Sequence, residues 1–351
     1  MHIEENKPLA PFTTLGIGGP ARWYLRAESE ADVADAAEWA RVHGAALFVL
    51  GGGSNLLVAD DGFDGLVLQV ALEGIQTSER GEQVTARVAA GEDWSGFVEH
   101  AVDADWAGVE CLAGIPGTVG GTPVQNVGAY GQEVADVIAR VRAYDLRARQ
   151  FVELDREECG FAYRRSRFNA EDRGRFVVTR VDYRLKKHGG PTLKYAELQR
   201  VLGEGSAPSL RAVADVVKCI RQAKGMLLVE GDADCRSAGS FFKNPVVSEA
   251  QAHEIAVAAG KEPPQFTAGE GSKNAGRVKI PAAWLIEQAG FEKGYARGAA
   301  GISTRHTLAL VNRGGATARD VMELAEEICR AVETRFGVRL AMEPVRLGFG
   351  E

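Results

Sequence analysis

The spacing of hydrophobic residues in the first half of the chain predicts a mixture of helices and strands. The apolar residues Val33, Ala36, Ala37 and Ala40 are predicted to share one face of a helix, with Ser29 placed to cap this helix and Gly44 placed to end it. The other elements predicted here are a helix over 93–104 and strands over 47–50, 66–70, 84–89, 141–144 and 176–185. We therefore expect a sheet-containing domain with helices in this half.

Two longer helices are predicted in the second half of the chain. One begins at Leu210 and runs for about 14 residues, directly after a Pro-, Gly- and Ser-containing stretch that suggests a domain boundary. The other follows Thr317, a cap residue with Asp320 at the capping-box position, and ends at Gly337. Its inward-facing positions recur at helical spacing and are Val321, Leu324, Ile328 and Val332.

The charge balance and the placement of cysteine and histidine exclude several classes of protein. With 41 Lys and Arg against 48 Asp and Glu, the net charge of −7 predicts no basic surface for nucleic acid. No apolar run reaches the roughly 18–20 residues that span a bilayer, and the acidic start is unlike a signal peptide. The five cysteines are scattered singly, and the six histidines have no metal-ligand spacing. We therefore expect a cytoplasmic protein with reduced cysteines, no metal centre, and no nucleic-acid or membrane partner.

Glycine accounts for 42 of the 351 residues, and its placement points to ligand-binding loops. Gly51, Gly52 and Gly53 directly follow the first predicted strand and precede Ser54 and Asn55. Without side chains, backbone amides can converge on a phosphate, and the two polar residues add donors. The chain then continues as another strand, where a Rossmann dinucleotide site would need a helix. The loop therefore predicts phosphate binding outside a Rossmann fold.

A second glycine-rich segment covers residues 108–131 and contains seven glycines. Pro116 and Pro123 fix its path, its glycines allow the backbone to lie against a flat group, and Gln125 and Asn126 offer amide donors and acceptors. Long irregular loops of this kind are usually functional. Two separated glycine loops suit a large two-ended ligand such as FAD, with the pyrophosphate at one loop and the isoalloxazine edge at the other.

These loops and several other motifs resemble the UDP-N-acetylenolpyruvoylglucosamine reductases (MurB), flavoenzymes of peptidoglycan precursor synthesis. The resemblance extends from about residue 11 to residue 348, with long motifs in the family's order. The motifs are residues 13–19 (TTLGIGG), 159–168 (CGFAYRRSRF), 221–224 (RQAK), 237–245 (SAGSFFKNP), 282–288 (AAWLIEQ) and 343–346 (EPVR).

The resemblance implies a reductase in which NADPH reduces FAD, which then reduces the vinyl ether of UDP-N-acetylglucosamine enolpyruvate to UDP-N-acetylmuramate. Hydride passes from flavin N5 to the terminal vinyl carbon and leaves negative charge that is delocalised into the carboxylate. By their match to the family motifs, Arg164 stabilises this charge, Ser240 donates the proton, and Glu343 helps to position or polarise the arginine and the enolate. Many members read Glu-Val-Arg where this chain reads Glu343-Pro-Val-Arg346, so the sequence directly after Glu343 departs slightly from the family pattern.

The same motif matches assign the ligand-binding residues. The residues expected to bind FAD, without a covalent bond, are Gly51, Gly52, Gly53, Ser54, Asn55, Leu56, Gly114, Ile115, Pro116, Gly117, Thr118, Gly120, Gly121, Asn126, Gly128 and Ala129. Tyr195 resembles the tyrosine that closes over the sugar nucleotide in the longer, type I members. Lys224 and Asn244 resemble the residues that bind its diphosphate, which needs a point charge and neutral donors. Trp284 and Leu285 are expected to lie in the core.

The fold that the resemblance implies is α+β. A two-lobed FAD-binding domain of the vanillyl-alcohol-oxidase (PCMH) type is expected over residues 1–215, with lobes of about 1–70 and 71–215. A substrate-binding α+β domain follows over 216–340, and residues 341–351 return to the active site. The family expectation is a monomer in which NADPH and the substrate use one pocket in turn.

Two other functions stay open at the level of the sequence. A flavin-dependent oxidase of a small alcohol or sugar shares the fold and often attaches FAD through His or Cys. Neither glycine loop contains a histidine, and Cys111, in the second glycine-rich segment, is the only nearby cysteine. A nucleotide-binding sensor that has lost catalysis is the other alternative, which the joint presence of Arg164, Ser240 and Glu343 opposes.

Overall fold

The computed structural model describes residues 2–203, 205–267 and 276–350. Met1, Glu204, residues 268–275 and Glu351 lie outside the described residues, as do the parts of the predicted domains that they occupy. The strands are β1 (Glu4–Pro8), β2 (Pro20–Ala27), β3 (Ala46–Leu50), β4 (Leu56–Val58), β5 (Phe63–Val70), β6 (Ile75–Arg80), β7 (Gln83–Ala89), β8 (Trp106–Ala107), β9 (Gly128–Ala129), β10 (Gln132–Glu133), β11 (Ile138–Asp145), β12 (Gln150–Asp155), β13 (Phe176–Lys187), β14 (Val246–Ser248), β15 (Phe266–Thr267), β16 (Arg277–Lys279), β17 (Ala296–Arg297), β18 (Ala300–Ile302), β19 (Leu310–Asn312) and β20 (Val345–Leu347). The α-helices are α1 (Glu30–Val42), α2 (Trp94–Asp103), α3 (Thr122–Gln125), α4 (Ala196–Leu202), α5 (Leu210–Ala223), α6 (Glu249–Ala259), α7 (Ala282–Gln288) and α8 (Ala318–Phe336).

The chain divides into two compact units that are each discontinuous in sequence. Unit 1 contains Met1–Lys7, Ala21–Gly53 and Phe63–Gln222. Unit 2 contains Pro8–Pro20, Ser54–Gly62 and Ala223–Glu351. Unit 2 thus takes two short segments from the N-terminal half, where the sequence predicts a simple succession of domains.

The N-terminal part of unit 1 is a four-stranded sheet in the order β1-β2-β5-β3. β5 pairs in parallel with both β2 and β3, and α1 connects these two outer partners. Ser29 and Asp32 form a reciprocal capping box at the start of α1, and Val33, Ala36 and Ala40 are buried. The predicted helix and its cap are confirmed, as are three of the four positions on its apolar face, whereas Ala37 is only partly buried.

The rest of unit 1 is built on an antiparallel sheet in the order β12-β11-β13-β7-β6, to which β8 adds at β13. In β7, Val84 and Val88 alternate inward and are fully buried, as a half-buried strand requires. Trp94 and Phe97 of α2 lie against Tyr183 of β13, with ring centroids 5.9 and 5.1 Å from the tyrosine ring. Burying a side chain as large as Phe97 contributes about 1.5–3 kcal/mol.

Unit 2 combines α6, α7 and α8 with short strands. β4, from the N-terminal half, pairs in parallel with β20 near the C-terminus. The other strands form two three-stranded arrangements, β17-β18-β19 and β14-β16-β15. The core of this unit includes Leu15, Ile17 and Leu57 from the two N-terminal segments. Leu285 is fully buried in the same core, as predicted, whereas Trp284 is only partly buried and packs against the edge of this core.

The long helix of unit 2 follows its prediction closely. Thr317 and Asp320 form the capping box of α8, and Gly337 ends the helix in a left-handed conformation. The four positions predicted to face inward, Val321, Leu324, Ile328 and Val332, are all fully buried. Among the described residues, no helix is long and apolar enough to cross a membrane.

Candidate active site

The two glycine-rich loops lie against each other within unit 1. A Cβ atom added to Gly52 would lie 2.6 Å from the Gly117 Cα, and one added to Gly51 would lie 2.8 Å from the Thr118 Oγ1. Real side chains do not tolerate such distances, so close approach of two backbones requires glycine here. Unit 1 contains all the residues predicted to bind FAD except Ser54, Asn55 and Leu56, which belong to unit 2.

The sequence predicts that the second glycine loop is irregular throughout. The structure differs, because the loop contains short regular elements. Its residues form a 3-10 turn, then α3 and β9. Asn126 ends α3 with a φ of 43°. Its amide nitrogen donates to Glu133 Oε2 at 2.8 Å and to the Ala162 carbonyl at 3.0 Å, and its Oδ1 accepts from the Ala135 N–H at 3.2 Å. The side chain of Asn126 therefore holds the loop in shape.

Arg164 lies in unit 1 beside this second loop. Its Nη2 donates to the Gly128 carbonyl at 2.7 Å, and its guanidinium lies 5.5 Å from the centre of the Tyr163 ring. Its φ of 52° is left-handed, which costs a residue with a side chain about 1–2 kcal/mol. Asn169 helps to hold this backbone by donating to the Arg164 carbonyl at 3.3 Å. Strained residues of this kind cluster at functional sites.

A chain of contacts joins the start of the second loop to Tyr195. Arg221 is buried and donates through Nε to the Gly114 carbonyl at 3.1 Å. Arg221 also hydrogen-bonds to Tyr130. Burial raises the pKa of Tyr130 to about 12, although the charge of Arg221 acts to lower it. The Tyr130 ring meets the Tyr195 ring edge-on, with 5.4 Å between centroids. Tyr195 is 40% exposed, so its outer face can contact a ligand.

Neither Tyr130 nor Arg221 has a role that is predicted from the sequence. The available signal for Arg221 is its place in α5, where it follows the buried Val217 and Ile220 on the apolar face. An arginine on such a face needs a buried acceptor, because an unpaired buried charge is costly. Tyr130 has a left-handed φ of 50°, which could not be predicted from the neighbouring sequence.

Ser240 and Glu343 lie on neighbouring segments of unit 2. The Glu343 N–H donates to the Phe241 carbonyl at 2.9 Å, and Phe242 pairs with Met342 in an antiparallel bridge. The structure therefore brings together two of the three predicted catalytic positions, which are about 100 residues apart in the chain. Ser240 is half-buried, and its hydroxyl makes no hydrogen bond with another residue that the structure describes.

Asn55 connects the end of the first glycine loop to the C-terminal segment of unit 2. Its Nδ2 donates to the Glu343 carbonyl at 3.3 Å, and its own carbonyl accepts from the Val345 N–H at 2.9 Å. The next residue, Leu56, pairs directly with Val345 in the β4–β20 ladder. Ser54 is held from the other side, since the Thr14 hydroxyl donates to its carbonyl at 3.4 Å.

Lys224 and Asn244 also belong to unit 2. Lys224 lies near His306, where burial, followed by the charges of Lys224 and Lys293, lowers the pKa of the histidine to about 4. The imidazole therefore stays neutral at neutral pH, and the two lysines supply the positive charge of this region. The Asn244 Oδ1 accepts from the Ala282 N–H at 2.9 Å at the start of α7. Its amide nitrogen is the part of the side chain that suits a phosphate oxygen.

Comparison with known proteins gives matches along nearly the whole chain. Residues 21–150 match the family model of the FAD binding domain, and residues 231–347 match that of the UDP-N-acetylenolpyruvoylglucosamine reductase C-terminal domain. The chain is 48% identical to the UDP-N-acetylenolpyruvoylglucosamine reductase of Streptomyces coelicolor, over 97% of this chain and 89% of that protein. The chain belongs to the UDP-N-acetylenolpyruvoylglucosamine reductase (MurB) family. The reductase of Thermobifida fusca is 46% identical, over 98% of this chain and 97% of its own.

The MurB fold is confirmed by a solved structure as well. The crystal structure of the MurB reductase from Thermus caldophilus aligns with a TM-score of 0.68 and 28% identity, covering 99% of both chains. The predicted α+β architecture, an FAD-binding domain followed by the MurB C-terminal domain, is thus correct. The range 21–150 contains both glycine loops, and the range 231–347 contains Ser240, Asn244 and Glu343.

Proposed function

We propose that this MurB family member is an FAD-dependent reductase that uses NADPH to convert UDP-N-acetylglucosamine enolpyruvate to UDP-N-acetylmuramate, a step of peptidoglycan precursor synthesis. The observation that carries the proposal is the 48% identity to the Streptomyces coelicolor UDP-N-acetylenolpyruvoylglucosamine reductase over 97% of the chain. FAD, when bound, supplies the hydride chemistry between NADPH and the vinyl carbon of the substrate. The rest of the mechanism depends on what the side chains of this protein bind, orient and protonate.

The glycine loops fit an extended dinucleotide. The two loops meet at Gly52 and Gly117, where a Cβ atom on Gly52 would clash, and the backbone of Gly52 is exposed to solvent. Backbone amides exposed in this way suit a pyrophosphate. The residues that would hold FAD are those predicted in the two loops, with Asn126 acting through the shape of the loop and not through its side-chain amide.

Arg164 is the residue proposed to stabilise the negative charge that develops on the substrate. The reduction leaves negative charge that is shared with the substrate carboxylate, and a guanidinium placed beforehand stabilises that charge as it develops. The bond from Nη2 to the Gly128 carbonyl and the left-handed backbone support this role, because both restrict where the side chain can go. Pre-placed charge costs no reorganisation during the reaction.

Ser240 is the proposed proton donor, and Glu343 the proposed carboxylate partner in the reaction. A hydroxyl is a weak acid, so it must donate directly to a strongly basic carbon. Ser240 suits this task because its hydroxyl is not committed to another described residue. The backbone pairing of the segments that carry Ser240 and Glu343 supports their joint participation.

Tyr195, Lys224 and Asn244 are the proposed contacts of the sugar nucleotide. The exposed face of Tyr195 suits a residue that closes over a ligand, and Lys224 adds positive charge beside a neutral histidine. We further propose a functional division of the chain that differs from its two compact units: residues 1–215 serve FAD binding, residues 216–340 serve substrate binding, and residues 341–351 return to the active site. A monomeric state, a cytoplasmic location, and one pocket that NADPH and substrate occupy in turn are also proposed.

Anaerobic stopped-flow spectroscopy of the visible flavin band tests the proposal. NADPH is added first and is expected to bleach the protein. UDP-N-acetylglucosamine enolpyruvate is added next and is expected to restore the colour with formation of UDP-N-acetylmuramate. A protein that bleaches but is not reoxidised by this nucleotide would contradict the substrate, and a protein that takes up no FAD would contradict the whole proposal.

A further inference from the structure

Glu110 is a fully buried carboxylate in unit 1 that the proposed mechanism does not use. Its Oε1 accepts from the Thr192 N–H at 2.7 Å and from the Gln132 Nε2 at 3.1 Å, and its Oε2 accepts from the Gly108 N–H at 2.8 Å. No lysine or arginine among the described residues forms an ion pair with it. Burying a carboxylate without a cation costs free energy, and the three hydrogen bonds offset part of that cost. Such a costly group suggests a role beyond packing.

The residue on which this cluster converges is Thr192. Besides the bond from its N–H to Glu110, its Oγ1 accepts from the Gln132 Nε2 at 3.2 Å, and its carbonyl accepts from the Cys111 Sγ at 3.2 Å. The Gln132 Oε1 in turn accepts from the Cys111 N–H at 2.9 Å. Burial, followed by the Glu110 charge, raises the pKa of Cys111 to about 12, so the thiol retains the proton that it donates. All three polar groups of Thr192 are therefore bound by Glu110, Cys111 and Gln132.

Two members of the Glu110, Cys111, Gln132 and Thr192 cluster are close in sequence to the two tyrosines that contact each other, Tyr130 and Tyr195. Thr192 precedes Tyr195 by three residues, which span at most about 10 Å. Gln132 follows Tyr130 by two residues and lies in β10. We propose that Glu110 is a positioning residue that fixes Tyr195 against Tyr130 for binding of the sugar nucleotide. The proposal rests on the role proposed above for Tyr195, and Glu110 acts through Thr192 without touching a ligand.

Glu110→Gln is the test variant, because it preserves shape and removes one acceptor. Whichever way the amide is turned, its NH2 group faces at least one of the three N–H donors that the carboxylate accepted. Asp145→Asn is the matched control. Asp145 is 2% exposed, lies at the end of β11 in unit 1, and accepts from the Arg147 and Ala148 N–H groups and from Arg175. Asp145→Asn therefore neutralises a carboxylate that is about as buried as Glu110 but has no hydrogen bond to Thr192.

We expect Glu110→Gln to raise the KM for UDP-N-acetylglucosamine enolpyruvate about tenfold, with kcat changed less than about twofold. The rate of flavin reduction by NADPH is expected to stay unchanged, and Asp145→Asn is expected to leave KM unchanged. In a Tyr195→Ala background, Glu110→Gln should add no further increase in KM, because it acts through the residue already removed. Amide hydrogen exchange over residues 192–199 should be faster in Glu110→Gln than in the wild type or in Asp145→Asn.

Cys111→Ala provides a second variant that removes the bond to the Thr192 carbonyl without changing a charge, and it should raise KM in the same direction. Unchanged KM and unchanged exchange in both variants would overturn the proposal. So would a KM increase that persists in full without Tyr195, or that Asp145→Asn reproduces. If the reduced wild-type enzyme is not reoxidised by the nucleotide, the proposed function fails, while the exchange measurement still decides whether Glu110 anchors this segment.

Discussion

Ser240 precedes two fully buried phenylalanines, Phe241 and Phe242, so the backbone that carries its hydroxyl is fixed by the core of unit 2. Ser240→Ala removes one atom from a half-buried position and should leave this backbone in place. We expect flavin uptake and flavin reduction by NADPH to be unchanged. Reoxidation by the enolpyruvyl nucleotide should slow by about 10²–10⁴-fold, the usual contribution of a general acid. Stopped-flow measurement of the two half-reactions separates these effects.

Ser248→Ala is the control for this substitution. Ser248 caps α6, and its hydroxyl accepts from the Gln251 N–H at 3.2 Å. Loss of this cap should lower the free energy of unfolding by about 1 kcal/mol and leave both half-reactions unchanged. A Ser240→Ala enzyme that is reoxidised at the wild-type rate would remove Ser240 from the mechanism.

His306 is expected to make the protein less stable as the pH falls. Its pKa in the folded state, about 4, lies below the ordinary value of 6.5, so the unfolded chain binds the proton first on acidification. Its contribution is complete above about pH 6.5 and is lost as the pH falls through that value toward 4, by about 3 kcal/mol at most. Urea unfolding of the wild type and His306→Gln between these pH values measures the difference. Equal pH dependence of the two proteins would contradict the assignment.

The contact between the glycine loops makes a prediction at the level of structural elements. In Gly52→Ala the new Cβ would lie 2.6 Å from the Gly117 Cα, and neither backbone can yield as a flexible side chain would. The loops must separate, so we expect FAD affinity to fall by at least about tenfold, a change of about 1.4 kcal/mol. Flavin fluorescence titration of the apoprotein measures this affinity.

Gly96→Ala is a suitable control for the loop variant. Gly96 lies in α2, and its added Cβ would lie 3.5 Å from an oxygen of Asp93, which is an ordinary contact. Alanine is also favoured over glycine within a helix, so this protein should be at least as stable and should bind FAD normally. Normal FAD binding by Gly52→Ala as well would show that the loop contact is unimportant for the cofactor.

Elements with strong local periodicity could be predicted from the sequence, and those that depend on remote partners could not. α1 and α8 have cap residues and apolar faces within a single stretch of chain, and both occur where the spacing predicts them. The three-residue strands β4 and β20 have no such periodicity, because their pairing joins residues that are nearly 290 positions apart. α3 and β9 depend on the bonds that Asn126 makes to Glu133 and Ala162, which no local pattern reveals.

The same distinction applies to the candidate site. Glycine loops and family motifs identify residues by type and order, so Arg164, Ser240 and Glu343 could be named from the sequence. The contacts that give Tyr130, Arg221 and Glu110 their roles are made to residues far away in the sequence of unit 1. Their neighbours in the sequence do not define those partners, and the roles of these residues follow from three-dimensional contacts.

At the scale of the whole molecule, membership of a unit does not follow sequence order. The segment Ser54–Gly62 is enclosed in the sequence by parts of unit 1 but belongs to unit 2. Leu57 is fully buried in the core of unit 2, whereas Leu66, nine residues later, is fully buried in the core of unit 1. Each leucine should therefore report on a different unit when its side chain is truncated.

We expect Leu57→Ala and Leu66→Ala to lower the free energy of unfolding by similar amounts, about 2–5 kcal/mol, because each leaves a cavity in a core. Their local effects should be opposite. In Leu57→Ala, amide hydrogen exchange should accelerate in α8 and β20, and in Leu66→Ala it should accelerate in α1 and β3. The two variants act as controls for each other, since they make the same substitution at equal burial in adjacent strands of the sequence. Faster exchange in α1 and β3 on truncation of Leu57, with α8 and β20 unaffected, would mean that the segment Ser54–Gly62 stabilises unit 1 and that the division of the chain follows sequence order after all.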